Sequence, residues 1–329
     1  MSTDGSTKAI VAALSANLGI GVTKFVAFAL TGASSMLAEA IHSVADSGNQ
    51  ILLLVGGKQA RKEADSEHPF GYARNRYYYA FLVAVVLFSL GGLFALYEAW
   101  HKFQHPEPID SWQWVPIVVL VVALGLEGFS FRTAVIESNK VRGKLGWVGF
   151  IRKSRSPELP VILLEDFGAL LGLLFALFGV SMTLITGNGL WDAAGTAMIG
   201  LLLVVIAVVL ARETKSMLMG ESVTPEDQER IDAAFAASGL GDVIHMRTMH
   251  LGPDDVLVAC KVAVLPGSTI ESIAEHVDDA ERRIREAVPA ARLIFIEPDL
   301  RHAGTAGRVA NGGATDAVAS QGDAEASHS

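Results

Sequence analysis

Apolar and polar residues fall along this chain in long blocks rather than at the two-residue period of a strand. Six stretches, residues 9–30, 34–57, 77–100, 112–136, 159–184 and 190–211, are dominated by apolar side chains. Each is long enough to cross a hydrocarbon core, which takes about 20 helical residues at roughly 1.5 Å rise apiece. The pattern predicts a six-helix transmembrane domain over 9–212, preceded by a short tail at 1–8. After Arg212 the hydropathy collapses. Thr224-Pro225-Glu226-Asp227 then reads as an N-cap, an N1 proline and first-turn acids that open a helix to about Ala237. Residues 243–250 and 256–264 read as strands around the turn Gly252-Pro253-Asp254-Asp255, 268–288 as a helix and 292–296 as a last short strand. The expected fold class is an α-helical membrane protein with a small α+β cytoplasmic domain over 213–300. Its order, αββαβ, suits a ferredoxin-like open sheet with helices on one face. Residues 301–329, rich in Gly, Ala, Ser and Asp, are expected to be disordered.

Composition sharpens this reading. A hydrophobic share of 51% is too high for an ordinary soluble enzyme. The single cysteine, Cys260, excludes an intramolecular disulfide and a cysteine-rich zinc cluster, so any metal must sit on His, Asp and Glu. The net charge of −9 conceals an asymmetry. Lys58, Arg61, Lys62, Arg74 and Arg76 follow the second span, and Lys140, Arg142, Lys144, Arg152, Lys153 and Arg155 follow the fourth. Both loops therefore read as cytoplasmic, and both termini with them. The loops after the first, third and fifth spans carry only Lys102 and face outward. No basic region precedes the first span, so it is expected to stay as a helix rather than be cleaved as a signal peptide. A bacterial inner (plasma) membrane is the expected location, with membrane lipid as solvent and no nucleic-acid partner.

The second span departs from a plain apolar helix. Glu39, His42, Asp46 and Asn49 recur at spacings of three or four and line one face. An ionisable residue at membrane depth costs about 2.5–3.5 kcal/mol on insertion scales, so it normally faces a partner or a water-filled path. In the fifth span Glu165 and Asp166 stand just inside the cytoplasmic end of an apolar run. Neighbouring residues diverge by about 100° on a helix, so only one of the two acids can point squarely at the second span. Imidazole with carboxylates makes a nitrogen and oxygen site suited to zinc, manganese, iron or cobalt, and unsuited to Cu(I). His42, Asp46, Glu165 and Asp166 are accordingly the candidate metal ligands. The competing reading of the stripe is a helix pair held by polar contacts.

Asn17 and Lys24 in the first span and Glu127 in the fourth are further polar residues at membrane depth. Glu39, Asn49, Asn17 and Glu127 are candidates for a supporting shell or a proton path, Glu127 being alternatively the partner of Lys24. Asp65 and His68, in the loop Asp65-Ser66-Glu67-His68-Pro69-Phe70-Gly71-Tyr72, are weaker metal candidates against a plain tight turn. Gly168 and Gly172 have the spacing of close helix packing. His245 and His250 fall on opposite faces of one strand and read as surface histidines.

Taken together, Ala38-Glu39-Ala40-Ile41-His42-Ser43-Val44-Ala45-Asp46, the following His68-Pro69-Phe70-Gly71-Tyr72, six spans and the αββαβ tail resemble the cation diffusion facilitator (cation efflux) family over about residues 9–299. Glu39-Ala40-Ile41-His42 with Leu164-Glu165-Asp166 looks closest to the branch containing the vertebrate mitochondrial zinc transporter. The resemblance implies a homodimeric secondary transporter, not an enzyme, that exchanges Zn2+ or another divalent cation for protons by alternating access. The metal is then cargo, the proton is the coupling ion, and no prosthetic group is needed. Many members place two ligands four residues apart in the fifth span, whereas here Ala169 follows Glu165 and Leu170 follows Asp166 at that spacing. Glu127, Asn49 or water is left to complete the coordination. In the C-terminal domain, Ile296-Glu297-Pro298-Asp299 lacks the family's histidine, so that domain is expected to serve dimerisation without a required metal site. Alternatives are a manganese, iron or cobalt carrier of the same family and a membrane-embedded metallohydrolase.

Overall fold

A computed structural model describes residues 3–106, 109, 112–264 and 267–300. Contacts divide the described residues into two compact units, one built on residues up to Val223 with Met249–Leu257, the other on Thr224–Thr248 and residues 258–300.

The first unit is helical: α1 (Thr3–Thr31), α2 (Ser34–Gln59), α3 (Asn75–Val86), α4 (Phe94–Gln104), α5 (Trp114–Val141), α6 (Trp147–Lys153), α7 (Glu158–Thr186) and α8 (Leu190–Met219). A π-helical stretch, Leu87–Leu93, joins α3 and α4 into one continuous span. Asn75–Gln104, Trp114–Val141, Glu158–Thr186 and Leu190–Met219 are each long and apolar enough to cross a membrane. The helix α1 contributes the apolar stretch Asn17–Thr31, and α2 is of similar length but diluted by its polar stripe. The six predicted spans are thus all helices, in an integral, multi-pass membrane protein.

Boundaries differ from expectation for physical reasons. Hydropathy marks where a helix leaves lipid, whereas backbone hydrogen bonds continue as long as the residues allow. So α1 begins at Thr3 and takes in most of the expected tail, while α8 runs past Arg212 to Met219 with Thr214 and Met217 still buried. The short helix α6, within the basic loop, is an element the apolar pattern does not register. The expected disordered tail at 301–329 lies outside the described residues, as does much of the loop between α4 and α5.

Close helix contacts explain the small residues. A Cβ on Gly179 would stand 2.9 Å from the Trp191 carbonyl oxygen, and one on Gly195 2.8 Å from that of Phe175, so α7 and α8 touch backbone to backbone. Leu87, Leu120, Leu173, Ile199 and Leu203 fill the apolar core around this contact. Side chains such as Val22, Leu126, Phe129 and Ile185 stay exposed on the outside, as a lipid-facing surface requires.

In the second unit, α9 (Pro225–Ala236) starts as its sequence predicts, with Thr224 Oγ1 accepting from the Asp227 amide at 3.2 Å. The helix α10 (Ile270–Ala287) is capped likewise by Thr269, and it turns Ala280 and Ile284 inward. The strands β1 (Val243–Gly252), β2 (Asp255–Val264) and β3 (Ala291–Leu300) form a sheet in the order β1-β2-β3. The order αββαβ is as expected, with a longer final strand. Cys260 is buried on β2, and that burial pushes its thiol up to about 12.

Candidate metal centre

The polar stripe of α2 is buried throughout: Glu39 and Asn49 are 0% exposed, His42 1% and Asp46 8%. Each residue finds a different neighbour. Lys24 Nζ on α1 donates to Glu39 Oε2 at 2.9 Å and to Ser43 Oγ at 2.9 Å. Lys24 is therefore the partner of Glu39 and not of Glu127, because the packing of α1 on α2 aims its ammonium at the stripe. His42 Nε2 lies 3.5 Å from Asp46 Oδ2, one turn away. Among the described residues, both His42 ring nitrogens and Asp46 Oδ1 are buried without a hydrogen-bond partner.

The helix α7 supplies the acids opposite. Asn49 Nδ2 donates to Glu165 Oε1 at 2.6 Å, tying α2 to α7 at the buried acid. Asp166, one position on, instead accepts from Ser130 Oγ of α5 at 2.9 Å and is half-buried. The two neighbouring acids thus serve two different helices. Glu127, buried on α5, lies within electrostatic reach of Asp46, Asp166, Lys24 and His42. Gly172 allows the approach of α7, since a Cβ there would stand 2.7 Å from Glu39 Oε1, while Gly168 faces Ile206 of α8. The glycine pair is therefore a packing device on one side and a recess for a carboxylate on the other.

No three His, Cys, Asp or Glu side chains converge at metal-binding distance among the described residues. The predicted ligands form a His42–Asp46 pair, with Glu165 and Asp166 held apart by Asn49 and Ser130. The physical reason is helix geometry: adjacent residues diverge by about 100°, so Glu165 meets Asn49 of α2 and Asp166 meets Ser130 of α5. Asn17 is half-buried on α1 and outside this hydrogen-bonded group. The chemistry of the donor set still suits a borderline divalent ion, because it offers one imidazole and several carboxylate oxygens, while Lys24 is neutralised by its own pair with Glu39.

The loop candidates have another use. Asp65 Oδ2 accepts from Lys62 Nζ at 2.8 Å and Tyr72 Oη at 2.7 Å, and Oδ1 accepts from the amides of Glu67 and His68 at 3.1 and 2.8 Å. Lys62 and Tyr72 above all, then the His68 amide, hold the Asp65 carboxyl well below the usual carboxylate range. With four donors engaged, Asp65 organises a turn that Gly71 completes at φ +77°. A metal at Asp65 and His68 would have to displace that network. His250, read as a surface residue, is buried, with Nδ1 3.2 Å from the Gly252 carbonyl; His245 is exposed as expected.

Sequence reasoning missed one buried acid. Asp192, in the first turn of α8, accepts from the backbone amides of Ser34 and Ser35 at 2.7 and 3.3 Å and from their hydroxyls at 2.8 and 2.5 Å. It caps α2 from another helix. The signal available was an acid at the start of an apolar span and a serine pair at the start of α2, but nothing in the sequence pairs them.

Comparison with known proteins agrees with this architecture. The family description "Cation efflux transmembrane domain" matches residues 10–219. The proton-coupled zinc antiporter SLC30A9, mitochondrial, of Xenopus laevis is 32% identical over 244 residues, covering 73% of this chain and 43% of that protein. Its human counterpart is 35% identical over 210 residues, 63% of this chain and 37% of the relative. The magnetosome protein MamM of Magnetospirillum gryphiswaldense is 23% identical over 288 residues, 83% of this chain and 81% of its own. The chain thus spans less than half the length of the zinc antiporters it matches. With six packed helices, a buried polar stripe on α2 and a family match across the whole helical unit, this chain belongs to the cation efflux family of membrane transporters, which are not enzymes.

Proposed function

We propose that the chain carries a divalent cation, Zn2+ by preference, across its membrane in exchange for protons, by alternating access around His42, Asp46, Glu165 and Asp166. The observation that carries this reading is the buried pair of unpartnered His42 ring nitrogens beside the unpartnered Asp46 Oδ1. Buried polar atoms are ordinarily hydrogen-bonded, and leaving one unsatisfied costs about 1–3 kcal/mol. One His42 ring nitrogen and Asp46 Oδ1, one turn apart, can meet the same ion, and the opposite ring nitrogen is left for a donor or water that holds the ring.

The residues divide the work. His42 offers an imidazole nitrogen, Asp46 a carboxylate one turn later, and Glu165 a carboxylate presented by Asn49. Asp166, held by Ser130, guides the ion along the α5 side, and Glu127 or water completes the coordination. Protons compete with the metal for these same atoms, so binding from one side and protonation from the other release the cargo. The lack of sulfur in the donor set disfavours Cu(I), and the names of the frog and human relatives support zinc among the remaining divalent ions. The C-terminal unit serves a homodimer, and both termini lie on the cytoplasmic side.

Reconstitution tests the proposal directly. The full chain in liposomes should accumulate zinc when a pH gradient is imposed, and His42→Ala should abolish that flux. Zinc movement that ignored the pH gradient would sink the proton-coupled reading. Flux that persisted in His42→Ala would sink the site.

A further inference from the structure

At the end of the bundle away from the basic loops, α4 finishes with two histidines that the function above does not use. His101 lies in the last turn of α4 and His105, four residues on, is its C-cap, where the backbone leaves the helix at φ −130°. Their ring centroids are 5.4 Å apart with the planes inclined by 36°. Both side chains are exposed, and neither ring makes a hydrogen bond among the described residues. Lys102 between them is turned away, its ammonium donating to the Gly32 carbonyl at 3.1 Å. The negative end of the α4 dipole also favours positive charge at this point.

We infer that His101 and His105 chelate a divalent cation of the zinc class at the mouth of the bundle. Two imidazoles this close can share one ion, and imidazole selects zinc, nickel or copper over magnesium or calcium. Two imidazoles leave coordination positions open to water. That makes the site exchangeable rather than structural. Exposed Tyr97 and Trp100 on the same helix and Trp112 and Trp114 beyond it mark the level of a membrane–water interface. An ion held here stands at the aqueous edge of the bundle. That it receives exported cargo rests on the proposed function; that it binds does not.

Diethylpyrocarbonate labelling of the purified full chain in lipid nanodiscs, read residue by residue by mass spectrometry, tests the inference. Zinc should lower carbethoxylation of both His101 and His105 several-fold, and magnesium should not. His101→Ala should remove zinc protection from His105, and His105→Ala should remove it from His101. His42→Ala should leave both protected. Equal labelling with and without zinc overturns the site, as does protection of His105 that survives His101→Ala. Loss of protection in His42→Ala would assign the effect to filling of the buried centre and also overturn it, without touching the transport reading.

Discussion

Glu165 and Asp166 are adjacent carboxylates with different partners, and that difference decides what each substitution does. Glu165 meets α2 through Asn49, whereas Asp166 meets α5 through Ser130. Loss of a direct ligand abolishes coupled flux, while loss of a group that orients or guides costs about 10- to 100-fold in affinity. His42→Ala, Asp46→Ala and Glu165→Ala should each eliminate zinc flux in liposomes, and Asp166→Asn should keep a flux of lower affinity. An active Glu165→Gln beside an inactive Asp166→Asn would transfer the ligand role to Asp166. Lys24 offers a second test at this scale. Both it and Glu39 are essentially inaccessible, and removing one partner of a buried pair costs about 3–5 kcal/mol, chiefly by stranding the other charge. Lys24→Met should therefore lower the unfolding midpoint in detergent, and adding Glu39→Gln should recover most of it. A midpoint that did not move in Lys24→Met would mean the pair contributes nothing.

At the scale of elements, the site depends on the placement of α2, and α2 is fixed at its N-terminus by Asp192. Four donors of Ser34 and Ser35 converge on that carboxylate, which also complements the positive end of the α2 dipole. Asp192→Ala strands buried donors at about 1–3 kcal/mol each, so it should lower thermal stability well beyond an ordinary surface change. It should also weaken zinc affinity, though Asp192 is no ligand. Asp192→Asn, which keeps one acceptor, should fall between. Unchanged stability in both variants would show that α2 is held by packing alone. These contacts also mark the limit of what was legible in the sequence. Apolar blocks revealed six helices because lipid demands them, and the α2 stripe stood out because charge at that depth is expensive. The choice of Glu39 over Glu127 by Lys24 was not legible, since it depends on how α1 rotates against α2. The reach of Asp192 to Ser34 was hidden for the same reason. The π-helical Leu87–Leu93 and the short α6 left no mark in the periodicity either. Caps made within one helix, as at Thr224, could be read in advance because both partners lie three residues apart.

For the whole molecule the distribution of basic residues sets which way the bundle should face. Lys58 in the last turn of α2 with Arg61 and Lys62 after it, and Arg142, Lys144 and Arg152 after α5, stand at the same end of an up-and-down bundle. Positive loops stay on the cytoplasmic side, so the turns after α1, α4 and α7 should face outward. Cysteine labelling suits this chain unusually well. Its native thiol, Cys260, is buried and pushed up to about 12, so almost none is thiolate at neutral pH, and thiolate is the reactive form. The wild-type chain should therefore stay unlabelled by a charged maleimide at pH 7, even in permeabilised cells. Against that background, Asn188→Cys, in the exposed turn between α7 and α8, should be labelled from outside intact cells. Glu63→Cys, exposed in the loop after α2, should be labelled only after permeabilisation. Reversed access at the two positions would invert the bundle and place the His101–His105 pair on the side where the ion enters.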